Sequence, residues 1–274
     1  MKNIGLDSQE KFELSTNSDA WEQLKNHTDA RIALGRAGCS MPTKPLLEFQ
    51  LSHAQARDAV FQPLDTEHLQ GLLKEKQIDS FTVQSLAENK EVFLKRPDLG
   101  RILNDESIEK CQNFKAKDLQ NYDACIVIGD GLSARAIEEN AFAMTLSLKQ
   151  QFYNEGWNLA PIVIATGSRV ALGDHVVELL NIPMLVMMIG ERPGLSSPDS
   201  MGIYYTWNAK KGNLDSTRNC ISNIRPAGLS IEIATQRLIA LMRNSKKYSI
   251  SGVHLKDDHQ VETIETHKKS KLLF

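Results

Sequence analysis

Three short, uninterrupted apolar runs lie in the chain from residue 124 onward, at residues 124–128, 161–165 and 184–189. Uninterrupted apolarity is typical of strands that are buried on both faces, whereas a half-exposed strand alternates apolar and polar residues. Between the runs lie two segments, 137–152 and 174–180, whose apolar residues recur at helical spacing. The succession of strand, helix, strand, helix and strand predicts a Rossmann-like parallel sheet with right-handed crossovers, flanked by helices.

The first 110 residues have a different pattern, which predicts a smaller, mostly helical N-terminal domain. Leu46, Phe49, His53, Ala56 and Val60 recur at helical spacing, so His53 lies on an apolar face and is interpreted as a core histidine. The other predicted elements are helices at 67–76, after Pro97-Asp98 and at 231–242, and strands at 81–83 and 203–207. The predicted domains are an N-terminal arm (1–28), the helical domain (29–115), the sheet domain (116–255) and a polar C-terminal tail (256–274).

Composition excludes several classes of protein. The 274 residues carry 32 Lys and Arg against 34 Asp and Glu, a net charge of -2 that gives no overall reason to expect nucleic acid as a partner. The longest strongly apolar run, 184–189, is far shorter than the roughly 20 residues of a membrane span. The four cysteines show no CxxC spacing, so we expect a reduced, cytoplasmic compartment and no protein-bound metal.

Candidate chemistry lies in the loops that follow the three apolar runs, because ligands of open parallel sheets bind beyond the carboxyl ends of the strands. These loops, 129–134, 166–170 and 190–194, all combine glycine with polar or charged residues. The first fits G-x-G-x-x-A, a dinucleotide pattern. Asp130 would set a carboxylate against the phosphates, however, so an NAD(P) enzyme ranks below a sheet that binds some other bulky ligand.

The remaining polar candidates allow two interpretations each. Glu191 and Arg192 could contact a ligand or simply solvate their turn. Cys220 has no nearby histidine in the sequence, which favours a small packing residue over a nucleophile. No catalytic triad, carboxylate pair or P-loop is found, so the residues alone predict a ligand-binding sheet and no catalytic residue.

Five spaced motifs in these regions resemble the small-subunit family of ethanolamine ammonia-lyase, in the same order and over about Asp29 to Val253. A set of motifs in order is more specific than any single glycine loop. The motifs lie at residues 30–38 (ARIALGRAG), 94–101 (LKRPDLGR), 128–133 (IGDGLS), 190–194 (GERPG) and 218–224 (RNCISNI).

The resemblance implies a Rossmann-like domain that holds adenosylcobalamin against a large subunit, which binds the ethanolamine and performs most of the radical chemistry. The complex would convert ethanolamine into acetaldehyde and ammonia, with neither nucleic acid nor membrane as a partner. By the family pattern, Val170, Glu191 and Cys220 contact the cofactor. Glu191 would accept charge-assisted hydrogen bonds from cofactor amides or hydroxyls, and Val170 and Cys220 would give small apolar contacts.

The sequence also departs from the family pattern. The region before Asp29 is short for a family in which this part is associated with packaging into a protein-shelled bacterial microcompartment, and the 166–170 loop and the tail after Lys256 differ as well. Two rival functions are an NAD(P)-dependent oxidoreductase and a free-standing ligand- or corrinoid-binding module. Because apolar surface awaiting a large subunit would be exposed, we expect poor solubility of the chain alone.

Overall fold

The computed structural model describes residues 21–118 and 120–256. Most of the predicted arm (1–28) and nearly all of the predicted tail (256–274) therefore lie outside the described residues. The chain divides into two compact units, Met1–Ala56 and Arg57–Phe274. No helix among the described residues is long and apolar enough to cross a membrane.

Six strands and seven α-helices make up the described chain. The strands are β1 (Ser80–Gln84), β2 (Ala124–Gly129), β3 (Ile162–Thr166), β4 (Met184–Gly190), β5 (Met201–Trp207) and β6 (Asn219–Ile224). The helices are α1 (Thr43–Phe61), α2 (Thr66–Glu75), α3 (Lys90–Lys95), α4 (Asp105–Lys117), α5 (Ala134–Glu155), α6 (Leu172–Leu180) and α7 (Ile231–Tyr248).

The first unit contains a short 3-10 helix, Glu22–His27, and most of α1. The predicted helix around 46–60 is confirmed, and Pro45 lies in its first turn, where proline is tolerated because no intrahelical bond is lost. His53 is exposed and stacks against Phe49, with ring centroids 6.3 Å apart. The interpretation of His53 as a core histidine is therefore wrong, because its face of α1 is not covered.

The second unit is built on one six-stranded sheet with the order β1-β3-β2-β4-β5-β6. The first four strands in this order are parallel, and β5 and β6 each run antiparallel to the preceding neighbour. From β2 the chain crosses to β3 on one side, and from β3 it crosses back to β4 on the other side of β2. The connections thus diverge between β2 and β4, where a parallel sheet opens a ligand crevice beyond its carboxyl ends.

Helices cover both faces of the parallel strands, which explains their uninterrupted apolarity. Val186 and Met188 of β4 pack into the core layer that contains α5 and α7, and Leu185 and Met187 pack into the layer of α6. Every residue of β2 and β4 is buried. The mostly parallel sheet flanked by helices is confirmed; its Rossmann-like character and a separate helical N-terminal domain stay predictions.

Several elements differ from the sequence-based expectation. The helix expected after Pro97-Asp98 is a 3-10 turn, Leu99–Arg101, and α4 begins only at Asp105 because Asn104 caps it by accepting a hydrogen bond from the Ser107 amide. Strand β6 and helix α3 were not predicted. The two compact units meet at residue 56/57, and β1 pairs with β3 in the main sheet, while the predicted domain boundary at 115/116 stays a prediction.

Candidate functional site

Asp130 joins the loops that follow β2 and β3. Its buried carboxylate accepts hydrogen bonds from the amides of Gly131 (2.9 Å), Gly167 (2.9 Å) and Ser168 (2.8 Å), and from the Ser168 hydroxyl (3.1 Å). A carboxylate with this many donors holds its loops in one conformation. Within the turn after β2, the Gly131 amide that a dinucleotide phosphate would need is thus already bound by a side chain.

The loop after β4 lies directly against the loop after β2. The Leu132 amide donates to the Gly190 carbonyl over 2.9 Å, and a Cβ added at Gly190 would lie 2.0 Å from the Ser133 carbonyl oxygen. Gly131 adopts a φ of +54°, which glycine accepts without strain. The glycines of this edge therefore serve close packing of loop on loop.

Two adjoining clefts open beside these loops. The first, of about 410 Å³, is lined by Gly131, Leu132, Arg169, Val170, Ile189, Gly190, Glu191, Arg192 and Tyr204. The second, of about 290 Å³, is lined by Arg101, Arg169, Val170, Ala171, Tyr204 and Asp215. Val170, Tyr204 and Arg169 line both, so the two clefts form one continuous open surface, which we call the crevice.

Glu191 lies at the end of β4 and is fixed by the neighbouring strands. Its Oε2 accepts hydrogen bonds from the Ser200 hydroxyl (2.5 Å) and the Asn223 amide (3.3 Å). A Cβ added at Gly202 would lie 2.8 Å from Oε1, so glycine on β5 leaves room for the carboxylate. Glu191 is half-buried and lines the first cleft with a defined orientation.

Cys220 lies on β6 opposite Tyr204 of β5. Burial raises the pKa of the Cys220 thiol, the Tyr204 hydroxyl lowers it in part, and the charge of Glu191 raises it further. The thiol is therefore protonated near neutral pH and is a poor nucleophile. Burial and the Cys220 thiol raise the pKa of Tyr204 to about 12, so this phenol keeps its proton as well.

Two of the three predicted residues line the crevice, and the third lies next to it. Val170 and Glu191 line it together, and Cys220 adjoins it through Tyr204. Sequence reasoning missed Tyr204, although the period of two in β5 sets it on the face opposite Ile203 and Tyr205. It also assigned no role to Arg169, which packs its guanidinium on the Phe93 ring at 4.2 Å.

A buried ion pair supports the Cys220 side of the crevice. Nη1 of Arg218, directly before β6, donates to Oδ1 of Asp174 in the first turn of α6 over 2.5 Å, and both side chains are almost fully buried. Arg218 also donates to the Asp215 carboxylate over 3.3 Å and to the Asn213 carbonyl over 3.2 Å. The pair therefore ties the helix that follows Val170 to the strand that carries Cys220.

This arrangement can be compared with known families. A family model described as the ethanolamine ammonia-lyase light chain (EutC) matches residues 18–256, which include the whole crevice. The chain belongs to the ethanolamine ammonia-lyase light-chain family. The resemblance inferred from the spaced motifs is thereby confirmed.

Curated relatives agree with this membership in the light-chain family. Proteins named ethanolamine ammonia-lyase small subunit from Pseudomonas fluorescens are 44% identical over 254 residues (strain SBW25) and 46% identical over 246 residues (strain Pf0-1). These matches cover 93% and 90% of this chain, and 92% and 90% of the relatives. One of the same name from Pseudomonas aeruginosa (strain UCBPP-PA14) is 46% identical over 245 residues, 89% of this chain and 90% of the relative.

Proposed function

We propose that this light-chain family member is the small subunit of an adenosylcobalamin-dependent ethanolamine ammonia-lyase and holds the cofactor against a large subunit. The observation that carries the proposal is that Val170 and Glu191, which are distant in sequence, line one crevice with Tyr204 at the divergence of the sheet, and that Cys220 lies beside Tyr204 on the neighbouring strand. The relatives' shared name supports the lyase assignment and a large partner.

The shape of the crevice fits one edge of a corrinoid. Its clefts of about 410 and 290 Å³ are open, and a corrinoid is much larger than the drug-sized ligands that pockets of roughly 300–1,000 Å³ enclose. The buried Nε of Arg169 has no hydrogen-bond partner among the described residues, which leaves a donor for a ligand acceptor. A half-site of this kind is completed by a second surface, which we assign to the large subunit.

Each residue of the crevice has a physical role in this proposal. Glu191, already oriented by Ser200 and Asn223, accepts hydrogen bonds from amide side chains at the corrin rim. Val170 packs against the ring edge, and Cys220 with Tyr204 gives a small, uncharged wall. The chemistry that adenosylcobalamin supplies when bound is homolysis of its cobalt–carbon bond, which gives the radical that converts ethanolamine into acetaldehyde and ammonia.

Reconstitution tests the proposal. We expect no ammonia release from the purified chain with ethanolamine and adenosylcobalamin, and turnover once the large subunit is added, because no proton-transfer or nucleophilic set is found among the described residues of the crevice. Size-exclusion chromatography of the mixture should show a corrinoid absorption band that elutes with both chains. Turnover by the isolated chain, or a complex without corrinoid, would contradict the proposal.

Both rival functions make distinct predictions. A free-standing corrinoid-binding module would bind the cofactor with full affinity without a large subunit. An NAD(P)-dependent oxidoreductase would bind a dinucleotide at the turn after β2, where the Asp130 carboxylate already occupies the Gly131 amide. Location in the cytoplasm, with packaging in a microcompartment, stays a prediction, since most of the arm lies outside the described residues.

A further inference from the structure

Three guanidinium groups gather at the mouth of the crevice. Arg101 ends the 3-10 turn before α4, Arg169 lies in the loop after β3, and Arg192 lies in the loop after β4. Arg169 and Arg192 line the larger cleft, and Arg101 and Arg169 line the smaller one. Burial, followed by the charges of Arg101 and Arg192, lowers the pKa of Arg169, and the Asp130 charge raises it in part, so Arg169 lies close enough to both other guanidinium groups to be repelled by them.

The positive charge of this cluster is not balanced by ion pairs. Within the described part of the chain, neither Arg101, Arg169 nor Arg192 lies within 4.0 Å of a carboxylate oxygen. The carboxylates closest to the crevice have other partners: Asp130 holds the loop amides, Glu191 accepts from Ser200 and Asn223, and Asp215 pairs with Arg218. The Asp130 charge stabilises Arg169 in part, but within the described part of the chain no ion pair neutralises the three guanidinium groups, which favours binding of an anion.

Arg169 is the most constrained of the three. Its guanidinium lies over the Phe93 ring at 4.2 Å and donates through Nη2 to the Phe93 carbonyl over 3.4 Å. Its Cγ would lie 2.9 Å from a Cβ at Gly100, so glycine there admits the side chain. The buried Nε keeps an unused donor, which an anion in the crevice would satisfy.

We propose that Arg101, Arg169 and Arg192 form an anion subsite for the phosphodiester in the nucleotide arm of the corrinoid. The inference rests on the proposed function, since the subsite adjoins Val170 and Tyr204, which line both clefts. The phosphodiester is the anionic group of cobalamin's organic periphery, whose other side chains are neutral amides. Planar guanidinium groups match phosphate oxygens with paired hydrogen bonds, which a lysine cannot do.

The test compares two corrinoids on the complex with the large subunit: cyanocobalamin, and dicyanocobinamide, which lacks the phosphodiester, ribose and base. We expect Arg192→Gln and Arg101→Gln each to weaken cyanocobalamin binding by roughly five- to fiftyfold. Dicyanocobinamide binding should change less than about twofold. Arg169→Lys, which keeps the charge but loses the planar fork, should weaken cyanocobalamin selectively as well.

Arg243→Gln is the matched control, since it removes the same charge from α7, where Arg243 pairs with Glu155 away from the crevice. We expect it to leave the binding of both corrinoids unchanged. Equal weakening of both corrinoids by the crevice variants would overturn the phosphodiester assignment, as would loss of subunit assembly, which would make the cluster a contact for the large subunit. If the unsubstituted complex binds neither corrinoid, the proposed function itself fails, and the subsite with it.

Discussion

The parallel and antiparallel strands of the sheet differ in how much helix covers them. Strand β4 is buried along its whole length between α6 on one face and α5 on the other. Strand β6 is buried only at Ile221 and Ile224, which face the layer of α7, while Cys220 on its opposite face is exposed. Cover by helices thus stops between the fourth and sixth strands of the sheet.

The candidate residues lie where the sheet passes from strands that helices cover on both faces to the partly uncovered strand β6. Val170 comes just before α6, Glu191 directly follows β4, and Cys220 lies on the open face of β6. The covered strands give a rigid frame, and the open strand gives a surface that a helix would otherwise bury. A large, flat ligand needs both, because the frame fixes the contacts and the uncovered surface admits the ligand.

The largest expected effect comes from breaking the ion pair that links helix α6, which covers the parallel strands, to the start of the open strand β6. Asp174 on α6 and Arg218 before β6 form a buried ion pair, and Asp174→Asn leaves the Arg218 charge without its main partner. We expect a loss of about 3–5 kcal/mol in the free energy of unfolding, out of a total of about 5–15 kcal/mol for a typical protein. Urea unfolding followed by circular dichroism measures this change.

Two controls sharpen this prediction. Glu139→Gln removes one partner of the exposed Arg135–Glu139 pair and should change the unfolding free energy by no more than about 1 kcal/mol. Asp174→Leu combined with Arg218→Met removes both buried charges and should recover most of the lost stability. If Asp174→Asn were as mild as Glu139→Gln, the buried pair would not join the covered and open strands.

The next effect tests whether the open face of β6 must stay open. Cys220→Trp would fill the space beside Tyr204 with an indole, and we expect it to abolish corrinoid binding in the assembled complex. Cys220→Ser keeps the approximate size and replaces the S–H donor with an O–H donor, and should be mild because the raised thiol pKa excludes a thiolate role. Corrinoid titration of both variants decides, with thermal unfolding as a check that the fold is intact.

A Ser variant as inactive as the Trp variant would contradict the packing role and show that the thiol itself matters.

The Cys220 position also offers a protection test. Cys39 and Cys220 are exposed to solvent, whereas Cys111 and Cys125 are buried. Bound corrinoid should slow alkylation of Cys220 and leave Cys39 unaffected.

The difference in helix cover also explains which strands could be predicted from the sequence. Strands β2, β3 and β4 are continuous apolar runs because both faces are buried, and this pattern is visible without any structure. Strand β6 has the sequence Asn-Cys-Ile-Ser-Asn-Ile, with only Ile221 and Ile224 in the core. Because the rest of the strand is polar or exposed, the sequence contains no apolar run that would identify it as a strand. The apolar sheet could be predicted, whereas the strand that carries a candidate site residue could not.

The sequence could propose residues for the site but not their arrangement. Val170, Glu191 and Cys220 stay predictions from the family pattern, and their arrangement depends on Tyr204, whose strand was predicted without its neighbour β6. Likewise, the role of Asp130 was uncertain because its hydrogen-bond partners, Gly167 and Ser168, belong to a loop more than 30 residues away. Local spacing carries no information on such long-range pairs.

A smaller effect is expected at the border between the two sets of strands. Glu191→Gln keeps the shape of the side chain but removes the charge that strengthens its hydrogen bonds, and we expect a loss of roughly 1–3 kcal/mol in cobalamin binding, or about five- to a hundred-and-fifty-fold in affinity. Subunit assembly should survive. Cofactor titration of the reconstituted variant measures the change.

Ser200→Ala serves as the control for Glu191, because it removes the 2.5 Å hydrogen bond that orients the carboxylate but keeps the charge. It should weaken binding less than Glu191→Gln. If Glu191 only solvates its turn, Glu191→Gln would act like a surface change, within about 0.5 kcal/mol. Lost assembly would instead place Glu191 at the contact with the large subunit.

The smallest effect tests whether water is excluded from the part of the sheet that helices cover. His175 on α6 is buried, and its Nδ1 accepts a hydrogen bond from the Leu103 amide over 3.4 Å. Burial, helped by Lys211, lowers its pKa, so the unfolded chain binds a proton below about pH 6.5 more readily than the folded chain does. Stability should therefore fall as the pH drops below about 6.5, by at most about 1.4 kcal/mol per pH unit from this group.

His175→Asn keeps an acceptor for the Leu103 amide and cannot be protonated in this range, so the stability of this variant should depend less on pH between 7 and 5. His53→Asn, at an exposed histidine of α1, is the control and should leave the slope unchanged. Urea unfolding at several pH values gives the slopes. A curve for His175→Asn parallel to that of the unsubstituted chain would mean that water reaches the imidazole, and the contrast between a dry, covered sheet and an open β6 would then weaken at α6, the helix that follows Val170.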